Sequence, residues 1–335
     1  MAVATASALT ACGQSDEGPK QNVPTVTPAS AAQSPAGSAA PAGTVIAASA
    51  GTTVVAARGG ASRAAVLADG GQTVEIFTAP GAADAPAPLR VKVPTVTALT
   101  AEGDGFLCAG EGGLVRIDAA GAVTEQPADL RGAQAIAVAA DGRILVGTDR
   151  GHLLVLERDG RLQRDIGGFV GIEDITVAPS TAGEFAGQVM VLDRAQSAVT
   201  PVDIDSGELK AALRAGDGAT TAIVDEYGRV LVAGTRNNEV YAFYGQPIMM
   251  RLRAPVADSP YALAFDDQRK LLWVSSTATN EITAYALDTG EAVEKHRIPS
   301  VPQVTSMDVD PVSGALLVLS GRDGALQVVA PDAVK

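Results

Sequence analysis

The sequence offers few side chains for acid–base or metal chemistry. Its 335 residues include only two histidines, His152 and His296. A two-histidine site would need both to converge from widely separated stretches of the chain, so we expect each to be a surface or strand residue. There is no phosphate-cradling loop, no GxSxG elbow, no Cys/His metal spacing and no cofactor fingerprint. We therefore assign no catalytic residue, no metal site and no cofactor.

Arginines recur at one position of a repeated pattern, directly after a short run rich in Val and Leu. They are Arg150 in TDRGH, Arg194 in LDRAQ, Arg236 in TRNNE and Arg322 in GRDGA. Guanidinium groups bind carboxylates and phosphates well. With Glu173, Asp174 and Tyr261, which lie where strand-like runs begin, they form our predicted binding surface. The alternative is that the arginines are soluble turn residues, partly paired with Asp149, Asp193 and Asp323.

The two cysteines have different settings. Cys12 follows Leu9, Thr10 and Ala11 and precedes Gly13, whereas Cys108 lies in the strand-like run GFLCAG. We expect Cys108 to be a small buried side chain and not a disulfide partner.

The Cys12 stretch resembles the lipobox of bacterial lipoproteins. The resemblance implies that residues 1–12 end a signal peptide and that the Cys12 thiol takes a diacylglycerol, with the freed amine acylated, for instance by palmitate. It also implies a protein anchored to the cell membrane on the extracytoplasmic side. Because no Lys or Arg precedes the apolar stretch, we expect the true start to lie upstream. The alternative is an Ala-rich N-terminus that contains a cysteine by chance.

Residues 13–43 contain mainly Pro, Ala, Ser, Gly and Thr. Such a segment cannot bury enough apolar surface to offset its ordering entropy, so we predict a disordered tether. At roughly 3 Å per residue it would reach on the order of 90 Å.

Composition excludes some partners. The formal net charge of −13 argues against nucleic-acid binding, which needs a Lys- and Arg-rich surface. No run of 18 or more apolar residues is present, so any membrane attachment would be through the lipid.

Beyond residue 44 the chain repeats itself at about 40 residues, a period typical of solenoids and propellers. The clearest copies begin with AIAVAADGRILVGT from Ala135, DITVAPSTAGEFAGQVMVLD from Asp174, TAIVDEYGRVLVAG from Thr221, YALAFDDQRKLLWVSS from Tyr261 and SMDVDPVSGALLVLS from Ser306. Two further copies begin near Val54 and Ala98. Each copy contains a strand, a turn, a second strand and a third strand, mostly followed by a fourth.

Seven repeats of up to four strands predict an all-β fold, a single seven-bladed β-propeller of four-stranded antiparallel blades over residues 44–335. The last repeat has only three strands, and residues 44–49 form an orphan strand. We predict that this N-terminal strand pairs with the last blade and closes the ring. The alternative is a frayed strand. Pro201 falls in a third strand, where its missing N–H predicts a bulge or an edge.

The stretch from Thr279 to Val293, TNEITAYALDTGEAV, resembles the YVTN/YncE-like propeller repeat. With the lipobox and the tether, the layout resembles conserved actinobacterial lipoproteins of the mycobacterial type. We expect a monomer that binds or scaffolds an envelope protein or a small anionic ligand. The alternative is a metal-dependent, lactonase- or lyase-like propeller enzyme; streptogramin-lyase-like propellers use a catalytic histidine, which this sequence offers little chance to match.

Overall fold

A computed structural model describes residues 24–36 and 39–334. Cys12, the residue predicted to carry a lipid, lies outside these ranges. The described chain is almost entirely β-structure. Three short 3₁₀ helices interrupt it, at Asp69–Gly71, Ser180–Phe185 and Pro331–Ala333. No helix within the described ranges is long and apolar enough to cross a bilayer.

Twenty-eight strands form seven four-stranded antiparallel sheets, which are the blades of a β-propeller. Blades 1 to 3 consist of β2 (Gly51–Ala56), β3 (Arg63–Ala68), β4 (Thr73–Thr78), β5 (Leu89–Lys92); β6 (Ala98–Glu102), β7 (Gly105–Gly110), β8 (Gly113–Ile117), β9 (Val123–Pro127); and β10 (Ala133–Val138), β11 (Ile144–Thr148), β12 (Leu153–Leu156), β13 (Leu162–Ile166).

Blades 4 to 6 consist of β14 (Asp174–Val177), β15 (Val189–Asp193), β16 (Ala198–Val202), β17 (Leu213–Arg214); β18 (Ala219–Val224), β19 (Val230–Gly234), β20 (Glu239–Tyr244), β21 (Met249–Pro255); and β22 (Pro260–Asp266), β23 (Leu271–Ser276), β24 (Glu281–Ala286), β25 (Val293–Pro299). Blade 7 contains β26 (Val304–Val309), β27 (Leu316–Ser320), β28 (Ala325–Val329) and β1 (Thr44–Ala47). The predicted seven-bladed propeller is confirmed.

The ring is closed by the N-terminal strand. β1 pairs antiparallel with β28, with Thr44 opposite Val328 and Ala47 opposite Ala325. It thereby covers what would otherwise be the exposed edge of a three-stranded sheet. The predicted closure is confirmed.

The core lies between neighbouring blades, because each sheet buries its apolar residues against the next one. Between blades 6 and 7, for example, Trp273 and Ile282 pack with Val318. The equivalent cluster between blades 7 and 1 includes Leu317 and Val66, so the contact that closes the ring is also apolar. Cys108 is buried in the cluster between blades 1 and 2 with a free thiol, as predicted.

The innermost strand of each blade begins at one face of the disc and ends at the other. We call the face where the inner strands begin the top face. It also carries the turns that join the second and third strands of each blade. The opposite, bottom face carries the turns between first and second strands. The top face therefore collects most residues of the predicted binding surface.

Pro201 lies in β16 opposite Met190, without a bulge. The outer neighbour β17 has only two residues and pairs with Ala198 and Val199 alone. The proline therefore lies where the fourth strand has ended, which agrees with the predicted edge.

Candidate functional site

The four repeated arginines lie on the top face, each in the turn after the second strand of its blade. Their surroundings differ. Arg194 and Arg236, on adjacent blades, contact the N-terminal part of the chain. Arg322 pairs with its neighbour Asp323 at 2.7 Å. Arg150 is exposed, and within the described residues no ion pair or hydrogen bond involves its guanidinium. The structure thus brings two of the four together around one feature.

That feature is residues 24–36, here called the N-terminal segment, which crosses the top face from blade 4 to blade 7 without a helix or a turn. On blade 4 the Arg194 guanidinium donates a hydrogen bond to the carbonyl of Ala29. On blade 5 Arg236 donates to the carbonyl of Thr27 at 2.8 Å. Both arginines therefore bind main-chain oxygens.

At blades 6 and 7 the N-terminal segment is held by Ser259 and Gln303. The amide of Ala32 donates to Ser259 Oγ at 3.1 Å. The Gln303 side chain accepts from the Ser34 amide and donates to the Ala32 carbonyl, each at 3.1 Å. In addition, the Gln303 main-chain amide donates to Ser34 Oγ at 2.6 Å. Gln303 therefore binds both Ala32 and Ser34 of the segment, through its side-chain amide and its main-chain N–H.

The sequence assigned residues 13–43 to a disordered tether. Of these residues, 24–36 and 39–43 lie against the propeller, whereas 13–23 and 37–38 are outside the described ranges. The physical reason is that polar side chains of the top face form hydrogen bonds with the main chain of the segment. The small side chains of the segment allow its backbone to approach them. Composition predicts poor burial but does not show whether a backbone finds such partners.

Sequence reasoning missed Ser259, Gln303 and Asn280, whose side-chain amide donates to the Pro35 carbonyl at 3.0 Å. Ser259 and Gln303 each stand directly before an inner strand with a left-handed backbone, φ +55° and +51°. Blade 5 has Gly218 at this position, with φ +98°. These two positions could have been found by aligning the repeats, because a polar residue stands where another repeat has a turn glycine. Residues other than glycine are uncommon at positive φ, so such a replacement indicates a specific role.

Glu173 and Asp174 lie beneath Arg194 at the start of β14, where they line the mouth of the channel. Glu173 Oε2 accepts the Arg194 amide at 2.9 Å, and burial raises the pKa of Glu173. Asp174 Oδ2 accepts the amide of Ala222 on the next inner strand at 2.8 Å. Burial raises the pKa of Asp174 to about 7. Tyr261, half-buried at the start of β22, completes the predicted set without a bond to the segment.

The other end of the channel holds a cavity of about 620 Å³, lined by the final residues of the inner strands. Arg58 and Asp308 form an ion pair at 2.9 Å on its wall. Burial, with repulsion from Glu226, raises the pKa of Asp267 there. This cavity lies away from the predicted arginines.

The two histidines are on different blades. His152 Nδ1 lies 2.7 Å from Asp165 on the outer part of blade 3. The ring of His296 stacks on Trp273 in blade 6, with centroids 6.4 Å apart. They do not form one site. Within residues 24–36 and 39–334, no group of three or more His, Cys, Asp or Glu side chains is placed to hold a metal.

No family model and no curated protein match this chain. Several solved structures are similar. Virginiamycin B lyase from Staphylococcus aureus is 10% identical with a TM-score of 0.68, over 86% of this chain and 98% of that one. A streptogramin B lyase is 12% identical with a TM-score of 0.67, over 84% and 95%. Kuenenia stuttgartiensis hydrazine synthase is 14% identical with a TM-score of 0.68, over 85% and 97%. Likenesses at such identities show the seven-bladed propeller fold alone.

Proposed function

We propose that this chain is a lipid-anchored β-propeller of the cell envelope whose top face binds another envelope protein. The observation that supports the proposal is the N-terminal segment, an extended polypeptide already bound there by side chains of four blades. Arg194 and Arg236 donate to carbonyls of that segment. Of the two partners predicted from the sequence, this favours a polypeptide over a small anionic ligand. The proposed role needs no catalysis.

The anchor rests on the sequence around Cys12, which resembles a lipobox. A lipid there would be joined to the propeller through the N-terminal segment, so the top face would be the face nearest the attachment point. The YVTN-like repeat in blade 6 is part of the same proposal. It is a resemblance in one repeat that supports a binding role and no particular ligand.

The binding role is tested by crosslinking in intact cells, followed by purification of the tagged full chain and mass spectrometry of crosslinked peptides. The double variant Arg194→Ser/Arg236→Ser is compared with Arg150→Ser/Arg322→Ser. The second pair is the matched control, because it lies in the equivalent turns of other blades. We expect partner peptides crosslinked to top-face turns in the wild type and control, and their loss in the first variant. Equal recovery in both variants would remove Arg194 and Arg236 from the binding site.

The anchor is tested by Cys12→Ser. We expect the wild type in the membrane fraction with a lipid-modified N-terminal peptide, and the variant in the soluble fraction. A wild-type protein recovered from membranes with an unmodified Cys12 thiol would refute the lipid.

A further inference from the structure

The N-terminal segment is bound mainly through its main chain. Seven of its main-chain atoms form hydrogen bonds with the propeller: Val26 N, Thr27 O, Ala29 O, Ala32 N, Ala32 O, Ser34 N and Pro35 O. Main-chain bonds provide affinity for an extended strand of many sequences, while specificity comes from the side chains that fit the surface. The site is therefore suited to a class of extended polypeptides.

Two side chains of the segment, those of Ala29 and Ser34, make specific contacts with the top face. Ala29 is only 5% exposed. It lies so close to Gly218 that a Cβ added to that glycine would be 2.9 Å from the Ala29 methyl, so a larger residue at position 29 would not fit. The Ser34 hydroxyl accepts the Gln303 amide and donates to the Thr277 carbonyl at 3.2 Å. A small residue and a serine five positions later are thus the features recognised.

The prolines of the segment point away from this surface. Pro24, Pro28 and Pro35 are all exposed. Proline has no N–H to donate, and none is needed at these positions. Its fixed φ keeps the chain extended before binding, which reduces the entropy lost when the chain is bound. Proline at the outward positions is therefore compatible with the site and favourable for it.

We propose that the top face of blades 4 to 7 is a binding site for extended, proline-containing polypeptides with a small residue followed five positions later by serine, and that the N-terminal segment is its intramolecular occupant. The inference rests on the proposed function and states what kind of partner the face takes. A partner segment of this class displaces the chain's own segment.

The intramolecular occupant sets the threshold for a partner. A segment joined to the fold by a short linker has an effective concentration on the order of 1 mM. If the same segment binds as a separate peptide with a Kd about tenfold below that concentration, the site holds the intramolecular segment in about ten molecules for each one in which it is empty. A separate peptide therefore binds the wild-type chain about tenfold more weakly than it binds a chain whose own segment is displaced.

The test uses a fluorescein-labelled peptide with the sequence of residues 24–36, PTVTPASAAQSPA, and fluorescence anisotropy with the full chain. Ala29→Leu weakens the intramolecular segment without changing the face. Ser30→Leu is the matched control, because Ser30 is the exposed neighbour. We expect the peptide to bind Ala29→Leu about tenfold more tightly than it binds the wild type or Ser30→Leu. Adding Arg236→Ser to Ala29→Leu should remove most of that gain, while adding Arg150→Ser should preserve it. Unchanged thermal melting would show that the variants are folded.

Selectivity is tested with a second peptide, which has leucine in place of the alanine that corresponds to Ala29. We expect it to bind Ala29→Leu at least tenfold more weakly than the first peptide does. The inference is refuted if Ala29→Leu binds neither peptide, or binds the first no better than Ser30→Leu does. If that happens while partner crosslinks still depend on Arg194 and Arg236, the proposed function stands and the partner is not an extended strand of this class.

Discussion

Asp174 joins two neighbouring blades at the mouth of the channel. Its carboxyl accepts the Ala222 amide across the blade interface. Burial raises its pKa from 3.8 to about 7, and the nearby Glu173 carboxylate adds to the effect. The Ala222 N–H and the Arg194 guanidinium act in the opposite direction, but burial dominates. At pH 5 the folded protein therefore holds a neutral Asp174, whereas the unfolded chain holds an ionised one.

The sign of the pH dependence follows from proton binding. Between about pH 4 and pH 7 the folded state binds a proton that the unfolded state has lost, so the free energy of unfolding falls as the pH rises through this window. This contribution of Asp174 to the free energy of unfolding is fully present below its pKa in the unfolded chain. It is lost as the pH rises through its pKa in the folded protein. A displacement from 3.8 to about 7 corresponds to at most about 4 kcal/mol. Because Asp174 is only partly buried, solvent screening reduces this value, so we expect about 2 to 4 kcal/mol.

The change Asp174→Asn removes the charge and keeps an oxygen that can accept the Ala222 amide. We expect the variant to match the wild type at pH 4 and to exceed it at pH 8 by about 2 to 4 kcal/mol in the free energy of unfolding. The measurement is urea denaturation of both proteins at the two pH values. Asp203→Asn is the control, because hydrogen bonds from Ser206 lower the pKa of Asp203. It should instead become less stable relative to the wild type as the pH rises.

Two results would refute this pH dependence: destabilisation of Asp174→Asn at pH 8, or the same difference from the wild type at both pH values. The first result would show that the carboxylate is stabilised in place, by Arg194 for example. The second would show that the substitution acts through packing and not through titration.

Two other predictions concern buried polar groups. Gln327 is fully buried, accepts the Val301 amide and donates to the carbonyls of Ala42 and Pro299, so Gln327→Leu should lower the free energy of unfolding by about 3 kcal/mol. In urea denaturation the exposed control Gln163→Leu should change it by under about 0.5 kcal/mol; equal midpoints for the two would contradict the prediction. Burial raises the pKa of the Cys108 thiol to about 12, so this thiol should react with a disulfide reagent only after unfolding. The assay uses the Cys12→Ser variant, so that Cys108 is the one thiol that can react. Rapid labelling of the folded protein would contradict the prediction.

The fold was accessible from the sequence because each blade repeats the same local physics. A buried run such as that of β7 needs a partner sheet on both sides, and about 40 residues are enough for four strands and their turns. The closing strand was predictable for the same reason, since a three-stranded last repeat and an orphan strand at Thr44–Ala47 complete one another. Even Pro201 followed from its missing N–H. In each case one residue or one period determines one local outcome.

The contacts made by the predicted binding surface could be only partly predicted from the sequence. The repeat placed Arg194 and Arg236 on one face, but their partners are main-chain carbonyls, which leave no trace in a side-chain pattern. Gln303 gave still less signal, because its role depends on a left-handed turn that the sequence does not display. The N-terminal segment has low complexity, and composition alone cannot distinguish a free tether from one bound through its backbone.

Together, the two proposals imply that partner binding changes how far the propeller can lie from the membrane. With the N-terminal segment bound, a lipid on Cys12 would be joined to the top face by the residues before Pro24, at most roughly 35 Å of extended chain. With the segment displaced, the free chain would extend to Pro41, just before Ala42, which is hydrogen-bonded to Gln327, and the limit would become roughly 90 Å. A partner that takes the top face would therefore also release the propeller from the neighbourhood of the membrane. Because the same residues hold the segment and receive the partner, a bound partner would keep the segment displaced.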